Sequence, residues 1–164
     1  WSASVTPYER VQLSRQRTAG VFPFPSVLDC IRYAITELAE YDDALLRQER
    51  TGDKRNNDKV HDPRSELGQS LYMLLSAAVQ LECDCDVSPG DVTNKFAAYV
   101  ASMRCLVSCA YYGDVRPVGA LMWHVDDAYA VLCSLALANG WPVDALIDDT
   151  CARFEAKHVQ GEAR

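Results

Sequence analysis

Two short stretches of the chain place oxygen-bearing side chains at helical spacing. Glu37 and Glu40 are three positions apart, and Asp43 continues the row. Glu66 and Gln69 repeat the spacing farther along. Side chains three apart on a helix project from one face, and antiparallel packing of two such helices would bring both sets together. Because Mg2+ prefers oxygen ligands, the spacing predicts a divalent-cation site, with a solvated acidic surface as the alternative.

Helices must position these residues, and helix-start signals recur along the chain. A capping residue followed by Pro is typical of a helix start, and Gly140 before Trp141-Pro142 is typical of a stop followed by a new start. No useful length shows the period-two alternation of a strand. The predicted fold class is all-α: one domain over residues 1–164, a bundle of about six helices at about 7–18, 26–50, 63–82, 89–111, 117–139 and 142–158.

Composition excludes several function classes. The 164 residues are 49% hydrophobic and carry a formal charge of -7, which argues against nucleic-acid binding because such proteins neutralise phosphates with surplus Lys and Arg. No apolar run approaches the roughly 20 residues of a membrane span. The seven cysteines lack CxxC pairs, so with no leader at the start we expect reduced thiols in a cytoplasmic protein. Zinc at Cys83-Asp84-Cys85-Asp86 is the alternative.

The motif Glu37-Leu-Ala-Glu40, followed by Glu66-Leu-Gly-Gln69 and an apolar helix, resembles the all-α nucleotide pyrophosphatase superfamily of MazG-like proteins and dimeric dUTPases. The family signature is ExxE, a gap, and ExxD. The resemblance covers roughly residues 26–82, with weaker support around 121–158, and implies a four-helix MazG-like core within about 26–158, preceded by the helix at 7–18.

The resemblance implies an activity: hydrolysis of a nucleoside triphosphate (NTP or dNTP) to the monophosphate and pyrophosphate. Mg2+, with Mn2+ as the alternative ion, would be held by Glu37, Glu40, Glu66 and Gln69. Either Glu37 or Glu40 would be the catalytic base for the attacking water. The family commonly pairs helices across subunits, so a homo-oligomer, by default a homodimer, is expected.

One position departs from the family. Gln69 stands where the family has Asp, and a neutral amide is a weaker Mg2+ ligand. The site could hold fewer ions, take a ligand from Asp43 or Asp127, or bind nucleotide without hydrolysing it. Asp127 is included because residues 124–136 faintly repeat 66–78, which would make it the Gln69 equivalent of a second copy. The rival function is a non-catalytic helical protein for binding or assembly, with a degenerate site.

The most polar stretch, Thr51 to Asp62, is predicted as a loop between the second and third helices. Its side chains Lys54, Arg55 and Lys59 are candidates for binding phosphate oxygens, and Asn57 for hydrogen bonding to phosphate or base. A solvated linker of mixed charge is the alternative.

Overall fold

Six helices make up the part of the fold that the structure describes. The computed structural model describes residues 5–51, 62–85, 94–115 and 118–158, and no strand occurs within those ranges. The helices are α1 (Pro7–Thr18), α2 (Val27–Thr51), α3 (Pro63–Gln80), α4 (Lys95–Val115), α5 (Val118–Ala138) and α6 (Val143–His158). The all-α fold class predicted from the sequence is confirmed.

Local capping explains where most helices begin and end. Thr6 and Glu9 form a reciprocal capping box at the start of α1. Ser26 Oγ accepts the Asp29 N–H at the start of α2, and the Asp62 carboxylate accepts the Ser65 N–H at the start of α3. Gly140 ends α5 with φ +77°, a left-handed conformation that glycine adopts without strain.

The fourth helix differs from its prediction. The sequence predicts a start at about 89, whereas α4 begins at Lys95, where Asn94 Oδ1 accepts the Ala97 N–H. Residues 86–93, which include the predicted start, lie outside the described ranges. The helix also continues to Val115 instead of ending near 111.

The helices pack as two antiparallel hairpins covered by a third pair. In the first hairpin, Gln80 near the end of α3 donates to the Pro25 carbonyl just before α2. In the second, His124 of α5 stacks on Tyr112 of α4 with ring centroids 4.5 Å apart. The hairpins contact each other through α2 with α4 and α3 with α5, while α1 and α6 pack together against α3.

One hydrophobic core takes residues from all six helices. Leucines of α3 contribute fully buried side chains to it, namely Leu67, Leu71, Leu74 and Leu75, and α5 contributes Val125, Leu132 and Leu135. In α2, Ile31 and Leu38 are fully buried, and Ile35 and Leu45 are partly buried against the core.

Helix α5 is the most apolar helix of the chain. Its segment Gly119–Ala138 is long and apolar enough to cross a membrane by length and composition, contrary to the expectation that no run approaches that length. Half of the segment is buried inside the bundle, and the core helix of a soluble protein passes the same test.

Candidate metal centre and adjoining cavity

Three glutamates meet where α2 and α3 pack. Glu37 and Glu40 lie on α2 and Glu66 lies in the first turn of α3. Each offers a carboxylate oxygen, and these oxygens lie within 4.8 Å of one another. Glu66 is only 2% exposed, and its partners on α2 are half-buried. The arrangement is the convergence that the spacing predicts, and we call these three residues the glutamate cluster.

Small and polar residues next to the cluster fix the register of the two helices. Ser70 is buried and donates a hydrogen bond of 2.7 Å to the carbonyl of Ala34. Ala34 is itself fully buried, and its short side chain lets the two backbones approach. Because Ser70 lies one turn after Glu66 and Ala34 lies three residues before Glu37, this bond holds the carboxylates opposite each other.

Crowding the carboxylates together favours their protonated forms. Burial raises the pKa of Glu37 strongly, and the hydrogen bond to Glu66 and the charges of Glu66 and Glu40 raise it further. Burial also raises the pKa of Glu66, although its hydrogen bond with Glu37 acts in the opposite direction. The metal-free cluster therefore favours a proton shared between Glu37 and Glu66 over full ionisation of both carboxylates.

A hard dication fits this donor set. Octahedral coordination at 2.0–2.1 Å places neighbouring oxygens about 2.9 Å apart and opposite oxygens about 4.1 Å apart, which the spread of the cluster accommodates. Positive charge at this position would replace the shared proton and relieve the carboxylate repulsion. All the donors are oxygens, which suits Mg2+ or Mn2+ better than a thiophilic metal.

A cavity of about 310 Å³ adjoins the cluster. Glu37, Gln69 and Tyr33 are among its lining residues, and the rings of Phe22, Tyr72 and Phe154 form an aromatic wall. The Phe154 ring packs on that of Tyr72 at 4.9 Å and meets the Phe22 ring edge-on at 5.3 Å. The volume lies at the small end of the range for small-molecule sites, and the mixture of apolar walls with a few polar groups is typical of them.

The same cavity has basic side chains from α6. Arg153 and Lys157, four residues apart and therefore on one helical face, line it together with His158. Arg153 also donates a 2.6 Å hydrogen bond to Ser65 Oγ, which ties it to the start of α3. The pKa of His158 is lowered by burial and by the positive charges of Lys157 and Arg15, so this part of the cavity favours an anion.

A buried cation lies behind the aromatic wall. Arg15 is 1% exposed, and none of its guanidinium nitrogens has a hydrogen-bond partner among the described residues. Its guanidinium carbon lies 4.1 Å from the ring centroid of Phe24, 5.5 Å from that of Phe22 and 5.9 Å from that of Tyr72. The rings stabilise the charge through cation–π contacts.

A glycine allows α6 to bring its basic residues to this place. At Gly68, a Cβ atom would overlap Thr150 Oγ1 and lie 3.2 Å from Leu146 Cδ1, both on α6. Any larger residue would push the two helices apart. The segment from Glu66 to Ser70 thus contacts α2 through Glu66 and Ser70 and α6 through Gly68.

The remaining predicted ligands lie in different places. Gln69 is exposed and lines the cavity beside Glu37. Asp43 lies outside the cluster and pairs instead with Arg47 at 2.6 Å. Asp127, the possible second-copy residue, lines a separate cavity of about 280 Å³ with Arg104 and His124. The structure therefore supplies neither acid to the glutamate cluster.

The predicted phosphate-binding residues of the polar loop cannot be placed. Lys54, Arg55, Asn57 and Lys59 lie in 52–61, outside the described residues. The basic pair on α6 and the aromatic residues Phe22 and Phe154 were not predicted from the sequence. The spacing of Arg153 and Lys157 was a signal for a shared helical face, although nothing local to α6 connects that face with the motifs on α2 and α3.

Comparison of the chain with protein-family models, with curated proteins and with solved structures found no match in any of the three.

Proposed function

We propose that this chain is a Mg2+-dependent nucleoside triphosphate pyrophosphohydrolase, related to the MazG-like all-α nucleotide pyrophosphatases, with Mn2+ as an alternative ion. One observation carries the proposal: the glutamate cluster opens, through Glu37, onto a cavity that also has an aromatic wall and a basic face. The basic face consists of Arg153 and Lys157 on α6. A nucleotide needs these three features together, because it combines a flat apolar base with a polyanion that binds metal.

Each group of residues has a separate role in binding the nucleotide or in hydrolysing it. Bound Mg2+ would neutralise the phosphates, lower the carboxylate pKas and stabilise the charge that develops during the reaction. Arg153 and Lys157 bind phosphate oxygens, and the aromatic wall holds the base and excludes water. Glu37, which faces the cavity, accepts a proton from the attacking water. The water oxygen bonds to the α-phosphorus as the bridge to the β-phosphate breaks, and pyrophosphate leaves.

Pyrophosphate release from a panel of nucleoside triphosphates, including dUTP and dCTP, tests the activity. We expect release with Mg2+, none with EDTA, and a loss of at least about a hundredfold in Glu40→Gln and Glu66→Gln. The matched control is Glu49→Gln, an exposed glutamate on the last turns of α2, which should retain activity. Absence of turnover for every nucleotide by folded wild-type protein would refute the catalytic proposal.

Substitution of a residue on the basic face should change the kinetic constants of the same assay in a distinct way. Lys157→Ala should raise KM more than it lowers kcat, since Lys157 would bind phosphate in the ground state and the transition state alike. Gln69→Asp would restore the family's carboxylate and should lower the Mg2+ concentration needed for half-maximal activity. An unchanged Mg2+ requirement would exclude Gln69 from the metal site.

The second candidate is a non-catalytic assembly protein, and an apolar stripe on α4 favours it. Phe96, Val100, Val107 and Tyr111 recur at spacings of four and seven, and they are 68, 37, 50 and 65% exposed. The stripe runs along about 22 Å of helix. The exposed Arg104 interrupts the stripe between Val100 and Val107, but α4 is otherwise largely apolar and its apolar residues are not confined to one face. We infer that a second copy of this chain covers the stripe in a homodimer.

Light scattering tests the dimer. Val107→Lys should convert it to monomer, whereas Leu46→Lys, which changes an exposed leucine on α2, should leave it intact. A monomeric wild type would refute the dimer. A dimer that turns over no nucleotide, with or without Mg2+, would favour assembly over catalysis.

All seven cysteines are free thiols, which supports a reducing compartment. We accordingly propose a cytoplasmic location.

A further inference from the structure

A second group of potential metal ligands lies beyond the other end of α3. Cys83 and Cys85, which follow this helix, are buried, and Asp126 of α5 is half-buried beside them. Their two sulfurs and one carboxylate oxygen lie within 4.8 Å of one another. Cys83 Sγ is 3.5 Å from Asp126 Oδ1.

The chain reverses sharply to bring the thiols to this place. Glu82 adopts φ 53°, in the left-handed region that costs a non-glycine residue about 1 kcal/mol or more. The Cys83 N–H then donates back to the Ala78 carbonyl at 2.9 Å, closing the end of α3 and pointing the segment toward α5. Cys83 Sγ also lies 3.7 Å from the Met122 carbonyl, one turn before Asp126.

One separation within the group equals that expected for two ligands of a tetrahedral zinc ion, and the others lie within 4.8 Å. Zn–S distances of about 2.3 Å and Zn–O distances of about 2.0 Å at the tetrahedral angle place sulfur and oxygen about 3.5 Å apart. That is the observed separation of Cys83 Sγ and Asp126 Oδ1. Among the described residues Asp126 forms no salt bridge, so no side-chain cation competes for its carboxylate.

We propose that Cys83, Cys85 and Asp126 bind one Zn2+ ion, with water in the fourth position. The ion fastens the end of α3 to α5 and so closes the bundle at the end opposite the glutamate cluster. Thiolates favour zinc, whereas the all-oxygen cluster favours magnesium. The two groups are separated by the length of α3 from Glu66 to Gln80, about 21 Å, so each metal has its own site.

Cobalt substitution tests the site in the full chain. Reduced, metal-stripped protein titrated with Co2+ should develop thiolate-to-metal charge-transfer absorption that saturates at one equivalent and disappears when Zn2+ is added. Cys83→Ser should lose the absorption, and Asp126→Asn, which leaves both thiols in place, should weaken Co2+ binding by more than about tenfold. The matched control is Cys105→Ser, which removes a half-buried thiol on α4 outside the group. This variant should retain both the absorption and the Co2+ affinity.

Stability provides a second readout that does not depend on nucleotide hydrolysis. Zn2+ should raise the Tm of the wild type and of Glu40→Gln, but not that of Cys83→Ser or Asp126→Asn. The proposal is overturned if folded, reduced wild type binds no stoichiometric Co2+ or Zn2+, or if the spectrum survives in both site variants. It is also overturned if Cys83 and Cys85 prove to be joined in a disulfide in the freshly purified protein.

Discussion

Replacing Gly68 by alanine tests whether close packing of α3 on α6 builds the cavity. The added methyl group would overlap Thr150 Oγ1 and crowd Leu146 Cδ1 at 3.2 Å. Thr150 is buried, β-branched and bonded through its hydroxyl to the Leu146 carbonyl at 2.8 Å, so it cannot swing aside as a long surface side chain would. The two helices must therefore separate or the hydroxyl must lose its bond.

The expected change in the free energy of unfolding is the difference between an unfavourable packing effect and a favourable helix-propensity effect. Overpacking costs about 1–3 kcal/mol, and the stiffness of Thr150 places this case in the upper part of the range. Alanine contributes about 1 kcal/mol of helix propensity over glycine. Gly68→Ala should therefore lower the free energy of unfolding by about 1–2 kcal/mol.

Urea denaturation of a double-mutant cycle measures the effect. In a Thr150→Ala background the main overlap is gone, so most of the loss in unfolding free energy caused by Gly68→Ala should disappear. The control is Gly119→Ala, since a Cβ there has no neighbour within 4 Å and should stabilise α5 by up to about 1 kcal/mol. A stabilising Gly68→Ala, or one whose cost is unchanged in the Thr150→Ala background, would refute the proposed packing.

Three further perturbations test the charges. The raised pKa values of Glu37 and Glu66 mean that their contribution to stability is fully present below the ordinary glutamate pKa and is lost as pH rises toward the raised one; the Tm of metal-free protein should therefore fall between about pH 4.5 and about pH 9, and less so in Glu66→Gln. Arg10→Met removes a cation buried between α1 and α6 and should cost about 2–3 kcal/mol in urea, whereas Arg47→Ala at an exposed pair should cost under about 0.5 kcal/mol. Phe24→Leu should cost about 1–2 kcal/mol, and equal costs with and without Arg15→Met would contradict the cation–π contact.

Helix ends could be predicted from the sequence where their cause is local. The Thr6 and Asp62 caps each bond to a backbone group three residues away, and Gly140 ends α5 through its own backbone conformation. A window of a few residues contains the whole interaction at these positions. For α4, Asn94 supplies an equivalent cap before Lys95, whereas the helix-start signal Ser88-Pro89 lies outside the described residues.

The glutamate cluster was predictable because it needs only one long-range assumption, the antiparallel packing of α2 on α3. Spacing places Glu37 with Glu40, and the packing brings Glu66 to them. Asp43 satisfies the same spacing yet lies outside the cluster and pairs with Arg47 on the next turn. A periodic row of acids on one helix therefore does not by itself identify which of them meet the partner helix.

The basic face depends on packing that no local pattern contains. Lys157 follows Gln69 by more than 80 positions in the chain, and the two line one cavity only because Gly68 admits α6. A glycine within a predicted helix signals close approach but does not say to which helix. The local pattern of charges consequently predicts phosphate ligands in the adjacent polar loop instead.

The distribution of charge suggests how an acidic protein could bind an acidic substrate. The chain carries a net charge of -7, and the glutamate cluster would by itself repel a triphosphate. Arg153 and Lys157 line the cavity and the buried Arg15 lies behind its aromatic wall, so these cations would attract the phosphates of the proposed substrate. A nucleotide that arrives with its own Mg2+ would be attracted by the cations and by the glutamate cluster, whereas a metal-free nucleotide would be attracted by the cations alone. Binding of the nucleotide should therefore depend on Mg2+ even before hydrolysis begins, and the two ligands should strengthen each other's binding by the same factor.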